Sequence, residues 1–284
     1  MPADTLSLAG KVAIVTGSGR ENGIGAGIAF SLARNGAAVT INYVSESSTA
    51  RAEKVAQKIR DAGGKATIIR ASVDEEGAKK LVEGTLKAFE TDHIDILGET
   101  SICFFVEMTR QILFLIDEYI VNNAGIGYVG STMDLTTEQI RQTFEVNLYG
   151  PMFMVRAVVP HMPAGGRIIN ISSTSAKMPL AAYNVYGTSK AALDYLTAVW
   201  AGEFGKSHGI TVNSIGPGLV ETDIIPDDPE FRKQAVDPML DLTRAAYRTG
   251  TIEDIGDSVL LIVSEKARWI TAQHVSASGG ITAL

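Results

Sequence analysis

Short apolar runs alternate along the chain with longer stretches in which apolar residues recur every three or four positions. The short runs are rich in β-branched side chains, which is typical of buried strands. The longer stretches have the periodicity of amphipathic helices, and glycine follows several of them, as it often does where a helix ends. Strands are predicted at residues 12–16, 38–43, 66–71, 167–171, 211–215 and 274–277. Helices are predicted at residues 24–35, 48–62, 75–89, 137–159, 181–204 and 253–265.

This alternation of strands and helices predicts the fold class. Apolar strands that are joined through helices form a parallel sheet with both faces covered. We therefore expect an α/β protein with a Rossmann-type doubly wound parallel sheet in three layers. Residues 1–284 show neither an internal repeat nor a linker, so a single domain is expected.

Composition and charge exclude several classes of protein. The chain has 284 residues, 45% hydrophobic and 20% charged, which excludes collagen-like and disordered proteins. A net charge of −7 argues against partners such as nucleic acid or an anionic membrane surface. The single cysteine, Cys103, excludes a disulfide scaffold and favours a reducing compartment.

The sequence shows neither a targeting or membrane segment nor a metal-binding motif. No amino-terminal targeting segment is recognisable, and the most apolar window, 101–121, contains four charged residues, which disfavours a membrane span. A cytoplasmic protein is therefore expected. The four histidines lack the spacing of metal ligands, so no metal site is expected.

The first predicted strand leads directly into a glycine-rich loop, TGSGRENGIG at residues 16–25, and a helix follows it. Glycines in this position let the backbone approach a pyrophosphate, and the helix N-terminus supplies N–H groups and a positive dipole end. A simple glycine turn is the alternative. The candidate cofactor-binding residues of the loop are Gly17, Ser18, Gly19, Arg20, Gly23, Ile24 and Gly25.

The end of the second strand bears on the choice of dinucleotide. A carboxylate there would bind the adenosine ribose of NAD and repel a 2′-phosphate. The sequence instead has Asn42, Tyr43, Val44 and Ser45, with no acid before Glu46. Arg20 in the glycine loop could pair with a phosphate, so NADP(H) is favoured over NAD(H). The alternative is that Arg20 is a solvated loop charge.

A tyrosine and a lysine one helical turn apart form the second candidate site. Tyr186 and Lys190 lie on one face of the predicted helix because they are four residues apart. An ammonium beside a phenol favours phenolate and lowers the pKa of the tyrosine, which makes Tyr186 a candidate proton donor or acceptor. Ser173, just past the strand at 167–171, could donate a hydrogen bond to a substrate oxygen. A solvated helix face is the alternative for this tyrosine–lysine pair.

These residues and several further motifs make the chain similar to the short-chain dehydrogenase/reductase family. The motifs occur in the family's order over nearly the whole chain: the glycine loop, NNAG at 122–125, Asn147 in VNL, Ser173 in NISS, Tyr186-x-x-x-Lys190 and PGLVET at 217–222. The sequences GIGAGIA at 23–29 and INY at 41–43 are most similar to fungal NADPH-dependent carbonyl reductases of the hydroxynaphthalene and versicolorin type, and to ketoacyl-carrier-protein reductases.

The resemblance implies a role for each matching residue. Tyr186 would be the acid/base, Lys190 would tune it and hold the nicotinamide ribose, Ser173 would polarise the carbonyl, and Asn147 would hold a relay water. Asn123 and Gly125, with Ala124 between them, would lie against the adenosine-side ribose. Ser72, with Val73, stands where the family has an acid that contacts adenine. Val220 and Thr222 would hold the carboxamide, in a loop shaped by Pro217 and Gly218.

One segment departs from the family. In the family, the residues that correspond to Asp95, Ile96 and Leu97 are followed directly by those that correspond to 121–125, and together they form one central strand. In this chain, residues 98–120 intervene. A central strand cannot take up an insertion without loss of its hydrogen-bond ladder. The insertion is either a real element, with 119–122 replacing the strand end, or the translation of a retained intron.

The expected activity is NADPH-dependent reduction of a ketone to a secondary alcohol, on a small cyclic, aromatic or polyketide-like substrate. One alternative is an NAD(H)-dependent alcohol dehydrogenase or a 3-oxoacyl-carrier-protein reductase. A second is a non-catalytic or misfolded splice product whose insertion disrupts the cofactor site. By resemblance, a substrate lid is expected at about 223–248, and the chain is expected to form a homodimer or homotetramer.

Overall fold

A seven-stranded parallel sheet forms the centre of the computed structural model, which describes residues 6–99, 127–128, 130–223 and 225–282. The spatial order of the strands is β3-β2-β1-β4-β5-β6-β7, which confirms the predicted doubly wound fold class. The strands are β1 Val12–Val15, β2 Ala38–Tyr43, β3 Lys65–Arg70, β4 Ile96–Glu99, β5 Arg167–Ile171, β6 Thr211–Pro217 and β7 His274–Ala277.

The helices that connect these strands are α1 Ile24–Arg34, α2 Thr49–Asp61, α3 Glu75–Phe89, α4 Thr137–Phe144, α5 Gly150–Val158, α6 Asn184–His208, α7 Pro229–Phe231, α8 Asp237–Leu240 and α9 Ile252–Val263. Most predicted boundaries lie within a few residues of these. Within the described ranges, no helix combines the length and apolarity that a membrane crossing needs.

The single helix predicted at 137–159 is divided in the structure. A capping box of Thr136 and Gln139 starts α4, and a π-helical turn, Glu145–Tyr149, separates α4 from α5. Pro151 has no N–H to donate to the carbonyl four residues earlier, which favours a local departure from α-helical bonding. The turn places Asn147 in the buried interior.

Helices cover both faces of the sheet and create two apolar cores. α1, α2 and α9 pack on one face, where Ala13 and Val15 of β1 point. α3, α5 and α6 pack on the other face, where Ile14 points. This alternation along β1 is the expected geometry of a strand that is buried on both sides.

The central strand β4 corrects one sequence-based expectation. The insertion was expected to begin at Gly98 and to break the strand after Leu97. Instead, Gly98 pairs with Val15 of β1 and Ile169 of β5, and Glu99 pairs with Asn170 of β5. The strand therefore includes Gly98, which pairs on both sides, and Glu99, which pairs with β5. Residues 100–120 lie outside the described residues.

Candidate active site

The candidate site lies at the carboxyl ends of β1 and β4. The strand order reverses between these two strands, because β2 and β3 follow on one side and β5, β6 and β7 on the other. In open α/β sheets, ligands bind in the crevice that such a reversal leaves open. The glycine loop begins at this point, directly after β1.

The glycine loop has the backbone geometry of a phosphate-binding turn. Gly17 has a φ of +57°, in the left-handed region that favours glycine. A Cβ on Gly25 would stand 2.8 Å from the Gly17 carbonyl oxygen, so the close approach of loop and helix requires glycine there. Gly23 caps α1 without a side-chain hydrogen bond, so no capping side chain occupies its N-terminal N–H groups.

The Asn42 side chain is hydrogen-bonded to the backbone of this loop. Its side chain is fully buried; its Oδ1 accepts from the Gly17 N–H at 3.1 Å, and its Nδ2 donates to the Ala71 carbonyl at 2.9 Å. The Ser18 hydroxyl donates to the Val15 carbonyl at 2.7 Å. Both predicted cofactor residues therefore fix the loop through its backbone.

Two arginines and one carboxylate meet beside the loop. Arg51 of α2 forms an ion pair with Asp223 at 2.6 Å, and Asn22 donates to the same carboxylate at 3.0 Å. Burial and the charge of Arg51 lower the pKa of Arg20, and the charge of Asp223 raises it in part. The carboxylate of Asp223 thus lies near two guanidinium groups beside the glycine loop. The sequence analysis missed Arg51 and Asp223, which are 172 residues apart.

The ends of β2 and β3 carry the remaining predicted adenosine-side residues. Tyr43 is buried, and its Cβ would be 2.9 Å from a Cβ on Gly19, so the loop packs tightly against this strand. The Ser72 hydroxyl donates to Asp74 at 2.6 Å, and Val73 is buried. Ser45 lies just beyond β2, where its hydroxyl bonds to Ser47.

Tyr186 and Lys190 come together at the amino-terminal part of α6. Lys190 is fully buried, and its Nζ donates to the Ile171 carbonyl at 2.7 Å and lies 5.9 Å from the centre of the Tyr186 ring. A buried ammonium requires compensation, and the carbonyl at the end of β5 supplies part of it. The two residues are therefore neighbours, as the spacing predicted.

Asn147 contacts the first turns of α6, and Ser173 follows β5, the strand whose last carbonyl binds Lys190. Asn147 Nδ2 donates to the Ser189 hydroxyl at 3.1 Å, and that hydroxyl donates to the Tyr186 carbonyl at 2.7 Å. Ser173 follows β5 and is partly exposed, and its hydroxyl oxygen accepts from the Ser175 N–H. The π-helical turn, β5 and α6 thus converge on one position.

The loop after β6 carries the residues that were predicted to hold the carboxamide. Pro217 ends β6, and Gly218 packs so closely on Ser278 that a Cβ would stand 3.0 Å from the serine Cα. Val220 forms a bridge with Gly250, and Thr222 is partly exposed. The neighbouring Glu221 forms an ion pair with Arg232 in the predicted lid, and this lowers the pKa of Glu221. The ion pair ties the lid to the loop.

Three predicted cofactor residues, Asn123, Ala124 and Gly125, lie outside the described residues. A carboxyl group that the sequence analysis did not single out lies at the carboxyl end of β4. Glu99 is 3% exposed, and its Oε2 accepts from the Thr16 hydroxyl at 3.1 Å. Burial raises the pKa of Glu99 to about 7, although the hydrogen bond from Thr16 and the charge of Lys190 act in the opposite direction. Sequence analysis had no signal for this residue, because Glu99 falls within the expected insertion.

Known proteins resemble this chain over nearly its whole length. Residues 11–233 match the family model described as short chain dehydrogenase. A short-chain dehydrogenase/reductase of Cladobotryum, FrzI, is 38% identical over 279 residues, covering 97% of each chain. Versicolorin reductase 1 of Aspergillus parasiticus is 33% identical over 288 residues, covering 98% of each.

Solved structures give the same result. A blue fluorescent protein from a metagenomic library, in complex with NADPH, has a TM-score of 0.82 and 29% identity, covering 98% of this chain and 100% of that one. The angucycline C-6 ketoreductase LanV with bound NADP has a TM-score of 0.81 and 30% identity, covering 97% of this chain and 96% of that one.

Proposed function

The chain belongs to the short-chain dehydrogenase/reductase family of oxidoreductases, and on that premise we propose that it reduces a ketone to a secondary alcohol with NADPH. The observation that carries this proposal is the position of Lys190 and Tyr186. They lie together at the carboxyl end of β5, in the crevice that begins at the glycine loop. A dinucleotide that lies along the crevice would reach from this loop to the tyrosine–lysine pair.

The glycine loop fits the pyrophosphate of such a cofactor. The close approach at Gly25, the left-handed backbone at Gly17 and the uncapped N-terminus of α1 all favour a phosphate group there. The bound nicotinamide would supply the hydride. The protein's contribution is to orient the carbonyl, exclude water and deliver a proton.

Each residue of the pair has a definite task in this proposal. Tyr186 donates its phenolic proton to the carbonyl oxygen, and the Ser173 hydroxyl donates a hydrogen bond to the same oxygen. Lys190 places a positive charge near the phenol, which favours the phenolate left after proton transfer. Asn147 holds the first turns of α6 through Ser189, which fixes the direction of the tyrosine.

The preference for NADPH rests on charge. Arg20 and Arg51 bring two guanidinium groups to the adenosine end of the crevice, where β2 ends without an acid. Guanidinium groups bind phosphate oxygens in a bidentate manner, so the 2′-phosphate would compete with Asp223 for this pair. NADPH and NADP in the two similar structures support the same choice.

The substrate class is proposed from the relatives and the lid. The named relatives include versicolorin reductases and an angucycline ketoreductase. The lid proposed at about 223–248 contains α7 and α8, and Phe231 and Met239 offer apolar surface to a cyclic, aromatic or polyketide-like ketone. Closure of the lid would exclude water during hydride transfer.

The proposal is tested with Tyr186→Phe. We expect NADPH oxidation with a panel of cyclic and aromatic ketones to fall by about 10²–10⁴-fold, because the proton donor is removed. NADPH binding, followed by nicotinamide fluorescence, should stay within a few-fold of wild type. Tyr195→Phe is the matched control, since Tyr195 is an exposed tyrosine of the same helix. Undiminished activity of Tyr186→Phe would refute the tyrosine mechanism.

Assembly as a homodimer or homotetramer is proposed from exposed apolar side chains. Met152 of α5 and Val199 of α6 are exposed, and Trp269, close to β7 in sequence, is 95% exposed. Large apolar side chains at the surface favour association with a second copy when they form a patch. Light scattering of the purified protein would test this, and a monomer at micromolar concentration would contradict it.

A further inference from the structure

Glu99 lies between the two ends of the proposed cofactor site. It ends β4, and its Oε2 accepts from Thr16, the residue that immediately precedes the glycine loop. The two backbones are also hydrogen-bonded here, since the Thr16 N–H donates to the Gly98 carbonyl at 3.0 Å. On the other side, the charge of Lys190 acts on the carboxyl group. A buried acid thus stands where a polyanionic dinucleotide is proposed to cross the sheet edge.

Two buried oxygen atoms at and beside Glu99 have no hydrogen-bond donor among the described residues. Glu99 Oε1 is buried without a hydrogen-bond partner among the described residues, and so is Oδ1 of Asn170. These residues are register partners on adjacent parallel strands, so their side chains emerge on the same face of the sheet. Asn170 uses its Nδ2 for the Thr197 hydroxyl at 2.8 Å. Glu99 Oε1 and Asn170 Oδ1 are therefore two buried acceptors without a donor on the same face of the sheet. An ionised Glu99 cannot supply that donor, because a carboxylate only accepts hydrogen bonds.

The surrounding charges do not keep the carboxyl group fully ionised at neutral pH. From α6, Lys190 is the charged group that acts on it, and its Nζ already donates to the Ile171 carbonyl. From β1 the Thr16 hydroxyl faces it, and from β5 the uncharged Asn170 is its register partner. Burial outweighs these favourable contacts, so the pKa of Glu99 rises to about 7. A neutral acid carries one O–H donor and in this respect resembles a carboxamide. If Leu97 were followed directly by Val121, as in the family, the carboxamide of Asn122 would take the position of Glu99.

We propose that Glu99 carries a proton when the cofactor binds, and that this neutral carboxyl group is a positioning residue which lets the anionic dinucleotide lie between the glycine loop and Lys190. Loss of the proton would add a buried negative charge beside the start of the glycine loop, where the phosphates are proposed to bind, and would remove the only donor that the side chain can offer. Cofactor binding is then linked to proton uptake near neutral pH. The inference rests on the proposed function, because it takes NADPH as the ligand.

The test compares wild type with Glu99→Gln, which fixes the neutral, donor-bearing state. NADPH dissociation constants are measured by nicotinamide fluorescence from pH 6.0 to 8.5 at constant ionic strength. The affinity ratio of the two proteins cancels the titration of the cofactor's own phosphate. If only protonated Glu99 permits binding, a pKa of about 7 makes wild type about 30-fold weaker than Glu99→Gln at pH 8.5 and nearly equal at pH 6.0. Glu203→Gln, an exposed glutamate, is the control and should follow wild type.

A second measurement needs no variant. Calorimetric titration of wild type with NADPH at pH 7.5, in phosphate and in Tris, reports the protons taken up through the different ionisation enthalpies of the buffers. Net uptake of more than half a proton is expected, since the free site is mostly ionised at that pH. This measurement decides the question if Glu99→Gln fails to fold.

The outcomes separate this inference from the proposed function. A constant affinity ratio across the pH range, or binding without proton uptake, would overturn the role of Glu99 and leave the reductase proposal standing. Failure of both proteins to bind NADPH at every pH would instead refute the proposed function and the inference with it.

Discussion

At the scale of single residues, Glu99 links the stability of the cofactor-free protein to pH. Its pKa is raised by burial from 4.5 to about 7, so the folded protein binds this proton more tightly than the unfolded chain does. The stabilisation is complete below pH 4.5 and is lost as the pH rises through 7. The difference between the two pKa values corresponds to about 3 kcal/mol of unfolding free energy.

This prediction is measured by urea unfolding of wild type and Glu99→Gln at pH 5 and pH 8. Wild type should lose about 2–3 kcal/mol relative to the variant between these values, in the direction of lower stability at pH 8. Glu203→Gln, which retains Glu99, should lose the same stability as wild type between pH 5 and pH 8. A gap between wild type and Glu99→Gln that stays constant with pH would mean that Glu99 titrates normally in the folded protein.

Arg20 gives a second prediction at this scale, on cofactor preference. Arg20→Ala should weaken NADPH binding by about tenfold to a hundredfold, the effect of one charge-assisted hydrogen bond to the 2′-phosphate. NADH lacks that phosphate, so its affinity should change by less than about twofold. Arg34→Ala is the control, because Arg34 lies at the opposite end of α1 and pairs with Asp257. Equal losses for both dinucleotides would show that Arg20 supports the loop rather than the phosphate.

At the scale of elements, α1 and α9 cross at two glycines. A Cβ on Gly27 would overlap the Ile252 carbonyl oxygen, and one on Gly256 would overlap the Gly27 carbonyl oxygen. Backbone atoms cannot move aside as a flexible side chain can. The close crossing therefore holds α1, whose N-terminus faces the proposed phosphate site, in a fixed position against the sheet.

Gly27→Ala should lower the unfolding free energy by about 3 kcal/mol, because the added methyl forces the helices apart. Gly202→Ala is the matched control in the exposed interior of α6, where a Cβ meets no atom within 4 Å. It should raise the unfolding free energy by about 0.5–1 kcal/mol through helix propensity. Thermal unfolding of both variants decides this, and a Gly27→Ala protein as stable as wild type would contradict the crossing.

At the scale of the whole molecule, the question is whether the chain needs residues 98–120. Their deletion joins Leu97 to Val121, and we expect Val121 and Asn122 to take the strand positions held by Gly98 and Glu99. The bulky apolar sequence of this segment is an aggregation hazard, so the shorter chain should be more soluble. It should also bind NADPH without the pH dependence expected of Glu99.

Size-exclusion chromatography and NADPH titration of both chains test this prediction. A shorter chain that folds, binds NADPH and shows higher activity would support a retained intron. A shorter chain that loses its fold, beside a stable full-length protein, would show that the segment is a required element.

The pattern of the sequence predicted most of the fold. β-branched runs and helical periodicity are local properties, so the strands, the helices and the parallel sheet followed from them. The break at Glu145–Tyr149 was not predicted, because the apolar periodicity continues through it while Pro151 removes one helical hydrogen bond. The continuation of β4 through Glu99 was not predicted either, because the family resemblance placed residues 98 and 99 in the insertion, and only their pairing in the sheet shows that they belong to the strand.

By itself, the sequence determined the fold class, the glycine loop and the one-turn spacing of Tyr186 and Lys190, because each depends on residues that are near one another in the chain. Only the tertiary structure decided which distant groups share an environment. Arg51 meets Asp223, and Glu99 meets Thr16 and the charge of Lys190, through the arrangement of the sheet and its helices. The charge state of a buried group depends on desolvation and on neighbours from several elements, and local sequence does not contain that information.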